Sequence, residues 1–246
     1  MSFSDAARVV GLAASETSND GFAVIKAGEY AGNCETKSLM FEITQSEMRT
    51  ARYANPLTFL PGNVPIDERI AAMLTRQEAF VVCYADLDNF KPFNDSQGYF
   101  AGDEIIKLTA DLLLRYADME RDFVGHIGGD DFVILFRSPD WHARCCSLIA
   151  DFDKSIKRFY SAEELDQRSF RARNRRGQLI SFPLLSISLG VICVPQTHNA
   201  SLLDVSAAAA NAKCHAKRQA GSALFVERRE TIRCAGIPRR NLQVQG

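Results

Sequence analysis

Apolar and polar positions divide the chain into a short leading part and a longer, densely punctuated one. Ala6 to Ala14 has helix-like spacing, and Phe22-Ala-Val-Ile-Lys and Tyr30 flank the turn Ala27-Gly-Glu, so a helix followed by a hairpin is predicted. Ser38 to Tyr53 contains neither Gly nor Pro and reads as a helix that ends before Asn55-Pro56, because proline disfavours helix at the residue preceding it. That helix is either a signalling connector or one that merely packs on its neighbours. A Pro-rich turn through Gly62 follows, then a helix from about Pro65 to Gln77 and the run Phe80-Val-Val-Cys-Tyr-Ala, whose unbroken apolarity marks a buried strand.

After a loop, Ile105, Ile106, Leu108, Leu112 and Leu113 recur at helical spacing between Gly102 and Tyr116. Phe123 to Ile127 and Phe132 to Phe136 read as strands around Gly128-Gly-Asp-Asp131, where glycine supplies the positive φ of a close turn. A helix is predicted over Trp141 to Phe159. Five arginines between Arg168 and Arg176 lead to Gly177 and form a polar hairpin or loop, a solvated loop being the preferred reading. Leu184 to Val194 is a strand, Leu202 to Arg218 an alanine-rich helix, and Leu224 to Val226 a last strand. The order, βααββαβαβ or close to it, predicts an α+β fold: a mostly antiparallel central sheet flanked by helices.

Composition narrows this picture mainly by exclusion. Of 246 residues 46% are hydrophobic and 24% charged, with a net charge of -1, so nothing global draws the chain to nucleic acid or an anionic membrane. Phosphate binding must therefore be local. The first residues include Asp5 and Arg8 and no long apolar run, so neither a signal peptide nor a membrane span is expected, and the expected location is cytoplasmic. Seven cysteines lack any CxxC pairing and four histidines are widely separated, which fits reduced thiols better than a zinc site.

The candidate chemistry lies where acids interrupt apolar strands. Asp86 and Asp88 end the buried run, and Asp130 and Asp131 sit on the two-glycine turn. Any one of them alone would be an ordinary turn residue. If the strands are neighbours, three or four carboxylates converge at one sheet edge, an oxygen-only set suited to magnesium and hence to phosphoryl or nucleotidyl transfer. Lys91 follows in the same loop as a point charge for phosphate, and Asn94 with Asp103 offers donors and acceptors for a base edge. Asp103 by itself would be a helix N-terminal acid.

Five segments, Asp86-Leu-Asp-Asn-Phe-Lys-Pro-Phe-Asn94, Ala101-Gly-Asp-Glu104, Gly128-Gly-Asp-Asp-Phe132, Ser186-Ile-Ser-Leu-Gly190 and Ala216-Lys-Arg218, resemble successive motifs of the GGDEF domain in the right order, and Leu57-Thr-Phe-Leu-Pro61 looks like its opening motif. The resemblance covers about Asn55 to Val226, placing a GGDEF domain at 55–228 between an N-terminal segment, 1–54, and a tail, 229–246. The N-terminal segment itself resembles the second half of a CBS-type sensory repeat.

The family makes cyclic di-GMP from two GTP molecules, each held by one domain of an antiparallel pair. By that resemblance Asp86, the Leu87 carbonyl and Asp130 hold magnesium (or manganese), with Asp130 and Asp131 as the catalytic pair. Lys91 touches phosphate, Asn94 and Asp103 read guanine, and Lys217, with Arg218 as a further candidate, approaches the triphosphate. A homodimer is required for turnover, and a sensory or phosphodiesterase domain, fused or separate, is an expected partner. Three departures stand out. Asp131 replaces the usual Glu, no arginine follows Lys217 at the usual place, and Met119 replaces the arginine of the product-binding Arg-x-x-Asp pattern that ends at Asp122. A GTP-binding regulatory module without turnover is therefore the competing expectation, and a purely structural dimerisation module ranks below both.

Overall fold

The computed structural model describes residues 21–26, 29–173, 177–196 and 199–227. The chain forms two compact units, 1–53 and 54–246. The helix expected at Ala6 to Ala14 lies outside the described residues. In the first unit β1 (Gly21–Lys26) pairs antiparallel with β2 (Glu29–Glu35), as the pattern around Ala27-Gly-Glu predicts. Helix α1 (Thr36–Tyr53) follows directly, with Leu39 buried and Phe41 and Met48 exposed.

In the second unit the order is α2 (Asn63–Thr75), β3 (Phe80–Asp88), α3 (Phe90–Gln97), α4 (Tyr99–Tyr116), β4 (Phe123–Gly128), β5 (Asp131–Phe136), α5 (Trp141–Ser155), α6 (Ala162–Gln167), β6 (Ser169–Arg173), β7 (Leu179–Pro183), β8 (Ser186–Val194), α7 (Leu202–Ala216) and β9 (Ala223–Val226). Five strands form the sheet β4-β5-β3-β8-β9, antiparallel throughout except for β8 with β9. This is the predicted α+β fold.

Strand β3 runs through the middle, and its side chains feed two cores, as a strand apolar on both faces must. Cys83, Ala85 and Leu87 join Phe132, Ile134 and Leu189 beneath Ile105 and Leu113 of α4 and Phe152 of α5. On the other face Val82 meets Val133, Ile192, Ile66 and Ile70 of α2, and Ala209 and Ala212 of α7. The period of two then carries Tyr84 and Asp86 onto this second face, under α7.

Three expectations need correction. The segment after β3 is not a loop: Phe90–Gln97 is helical, and Gly98, at φ 87°, joins it to α4. Buried Phe93 makes the difference, meeting the rings of Phe159, Tyr160 and Phe170 edge-on, at 5.7 to 6.3 Å between centroids. Within the arginine-rich segment Ser169–Arg173 is a strand paired antiparallel with Leu179–Pro183, because Phe170 and Ala172 alternate inward while Arg171 and Arg173 face out, and Phe170 stacks on Phe182 across the ladder. The helix predicted to Phe159 ends at Ser155 and continues as a 3₁₀ turn, Ile156–Phe159.

Candidate active site

The end of β3 carries the acids into contact with the two-glycine turn. Asp86 stands opposite Asp131 on one side and Ser188 on the other, and Leu87 N donates to the Asp130 carbonyl at 3.4 Å. The turn needs its glycines, since Gly128 and Gly129 have φ of 148° and 59°. Asp86 is buried, and Asp130 and Asp131 are half-buried. Burial first, then the charge of Asp86, pushes the Asp130 carboxyl above its ordinary range. Asp131 also shifts up, because burial and Asp86 outweigh the lysine that touches it. Asp88 is raised by burial although the Ser186 and Ser188 hydroxyls donate to its Oδ2 at 2.9 and 2.7 Å.

Two lysines one turn apart, Lys213 in the last turn of α7 and Lys217 at its C-cap, compensate the cluster. Lys213 Nζ lies 2.6 Å from Asp131 Oδ1 and 3.1 Å from Asp86 Oδ2; Lys217 Nζ donates to Asp86 Oδ1 and stands 3.9 Å from Asp88. The helix reaches them because Ser201 and Asp204 cap its start reciprocally and Gly190 lets its backbone lie directly on β8. A Cβ at Gly190 would fall 2.2 Å from Lys213 N. Burial opposes charge on both lysines, but the bonded carboxylates more than offset it and both pKa values rise.

The structure thus groups Asp86, Leu87, Asp130, Asp131 and Lys217. Asn94 sits on α3, where its Oδ1 is buried without a partner, pressed over Gly102; a Cβ there would come within 1.9 Å of it. Asp103 on α4, Lys91 on α3 and Arg218 just beyond α7 are exposed to solvent.

Sequence reasoning missed two residues. Lys213 could have been found from its i, i+4 spacing to Lys217. His126 carried no signal beyond its place beside the turn. Buried and stacked on Phe132, it donates from Nε2 to the Gly129 carbonyl at 3.0 Å, which leaves Nδ1 to accept from the Thr58 hydroxyl at 2.9 Å. Burial lowers its pKa, in keeping with a neutral ring.

The donor set suits a hard divalent cation. Among the described residues no three His, Cys, Asp or Glu side chains form a ready cage. Asp86 and Asp131 nevertheless share one ammonium, so carboxylates from adjacent strands already converge on a single cationic centre. Magnesium asks for one or two carboxylates and completes its shell with phosphate and water.

Residues 53–223 match the family model described as "Diguanylate cyclase, GGDEF domain". The chain is 30% identical over 119 residues to diguanylate cyclase DgcP of Pseudomonas aeruginosa, covering 47% of this chain and 18% of that protein. It is 26% identical over 164 residues to the bifunctional diguanylate cyclase/cyclic di-GMP phosphodiesterase MucR of the same organism, covering 64% of this chain and 21% of the other. It therefore spans about a fifth of the length of these curated relatives. The solved GGDEF domain of TpbB (YfiN) from P. aeruginosa superposes with a TM-score of 0.50 at 25% identity, covering 70% of this chain and 93% of that one.

Proposed function

Since the chain belongs to the diguanylate cyclase GGDEF-domain family, we propose that it condenses two GTP molecules into cyclic di-GMP. The observation that carries this is the register that sets Asp86 against Asp131 and ties Leu87 to Asp130, collecting the acids and two lysines at one end of the sheet. Asp86, Asp130 and the Leu87 carbonyl would hold magnesium or manganese, which when bound supplies charge neutralisation at phosphate and a more acidic attacking hydroxyl.

The remaining roles belong to the protein's own groups. Asn94 Oδ1, orphaned and buried, accepts from a guanine N–H, and Asp103 accepts from the same edge. Lys217, the more exposed of the lysine pair, leaves Asp86 to meet the triphosphate, and Lys91 adds a second positive charge from solvent. Two chains in antiparallel arrangement present each 3′-hydroxyl to the other's α-phosphate. A bond from the 3′-oxygen to that phosphorus forms as the hydroxyl proton is lost to solvent and the α–β bridge breaks, so that pyrophosphate leaves, with the dimer supplying proximity.

A regulatory, GTP-binding module is the second reading, favoured by one observation: the short Asp131 carboxylate is committed to Lys213. Incubation with GTP and magnesium followed by anion-exchange separation distinguishes them. Cyclic di-GMP and pyrophosphate are expected, with Asp131→Glu raising the rate while GTP affinity stays nearly constant. Binding of GTP by demonstrated dimers with no product from either protein selects the regulatory module, and ATP bound as tightly as GTP in calorimetry overturns the guanine assignment.

A further inference from the structure

Lys213 is the one cation of the cluster that the nucleotide reading leaves without a task. Its ammonium bridges Asp131 Oδ1 at 2.6 Å and Asp86 Oδ2 at 3.1 Å, so it fills the space between two carboxylates from neighbouring strands. A divalent ion bridging the same two oxygens would need that space and would meet a like charge there. The two cations exclude each other.

Lys213 is also poorly placed to withdraw. Gly190 brings the helix backbone onto β8 at Lys213 itself, where a Cβ would lie 2.2 Å from its nitrogen, and the Lys213 side chain is 21% exposed against 39% for Lys217. Lys217 stands one turn further along, on the other oxygen of Asp86, with an open path to solvent. The helix thus presents one lysine free to change partners and one pinned between carboxylates.

Charge points the same way. Asp86, Asp88, Asp130 and Asp131 bring four negative charges, and Lys213 with Lys217 brings two positive ones. If Lys217 turns to phosphate, Lys213 remains as the permanent counter-charge between β3 and β5. Asp131 is matched to this duty, since its short side chain ends at the ammonium.

We propose, on the nucleotide-and-metal reading above, that Lys213 is a tethered cation occupying one of two possible cation positions, so that the loaded site takes up a single divalent ion and leaves the Asp86–Asp131 bridge to the lysine. Lys213 then sets the metal stoichiometry of the site.

The test counts ions without relying on turnover. The full chain is saturated with α,β-methylene-GTP, Mn²⁺ retained per chain is measured by equilibrium dialysis, and the bound ions are examined by electron paramagnetic resonance. The wild type should retain one magnetically isolated Mn²⁺. Lys213→Met, or Lys213→Gln should the first not fold, should retain two with the broadened signal of a coupled pair, and Lys213→Arg should return to one. Two ions in the wild type, or one in a folded Lys213→Met or Lys213→Gln that still binds the analogue, overturns the proposal while leaving the nucleotide reading intact. Failure of all these proteins to bind the analogue overturns both.

Discussion

The β4–β5 hairpin has aspartates at both ends, and the two ends neutralise them by opposite means. At the open end Asp122, buried, accepts from the Arg137 and Ser138 amides at 2.8 and 3.0 Å, from the Asp118 amide at 2.9 Å and from the Ser138 hydroxyl. At the turn end Asp130 and Asp131 sit beside Asp86 and depend on lysine ammonium groups carried by a different element. Backbone dipoles are fixed once the strands pair. A side-chain cation with a path to solvent, as Lys217 has, can be exchanged for another cation, so the turn end keeps a freedom that the open end lacks.

Three substitutions test the contrast. Asp122→Ala would orphan several buried donors and should lower unfolding stability by about 2–4 kcal/mol in urea. An unchanged midpoint would break the comparison at its firmer end. It also follows that loss of cyclic di-GMP binding in Asp122→Ala would report a damaged fold rather than a lost ligand contact.

Gly190→Ala probes how rigidly the second end is held. The added Cβ would meet the Lys213 backbone, so α7 must shift off β8 at a cost of about 1–3 kcal/mol, read from thermal melts. A neutral result would mean that the helix can move away and that Lys213 is not pinned.

Asp130→Asn should have the smallest effect and the opposite sign. With its folded carboxyl raised by burial and by Asp86, Asp130 favours the native state most fully below the unfolded pKa of about 3.9, and that favour is lost as pH rises through the folded value. At neutral pH the charged group is therefore a burden. The amide should gain about 0.5–2 kcal/mol in metal-free protein at pH 7, with the advantage shrinking toward pH 4, while metal-dependent nucleotide binding falls. Equal destabilisation at both pH values would remove the distinction between the two ends.

The parts legible in the sequence are those fixed by contrast between neighbours. An apolar run stopped by Asp86 and Asp88, and two strands parted by Gly128-Gly129, announce themselves locally, and the sheet and its acidic edge follow. Helix α3 is invisible in this way, because Phe93 earns its place through Phe159, Tyr160 and Phe170, some seventy residues on. The same holds for β6 and β7, where the exposed Arg171 and Arg173 mask the two inward residues, Phe170 and Ala172, that decide the structure. Lys213 resembles any lysine in the last turn of a helix; only the close approach at Gly190 turns it toward Asp86. The sequence offers Asn94 only as a candidate for a base edge, and its stranded oxygen becomes visible only once Gly102 is packed against it.

The Thr58–His126–Gly129 chain has a practical consequence for where this domain can be cut. His126 fastens the turn to a segment that precedes the first helix of the sheet unit: its ring holds Gly129 and Thr58, and its own amide donates to the Pro61 carbonyl at 2.8 Å. Asn55 folds that segment by accepting from the Leu57 and Thr58 amides. A fragment begun at Gly62 would keep every strand and helix of the sheet yet leave the imidazole beside the turn without its Thr58 partner. A fragment that keeps the turn fastened therefore starts no later than Asn55, seven residues before Gly62.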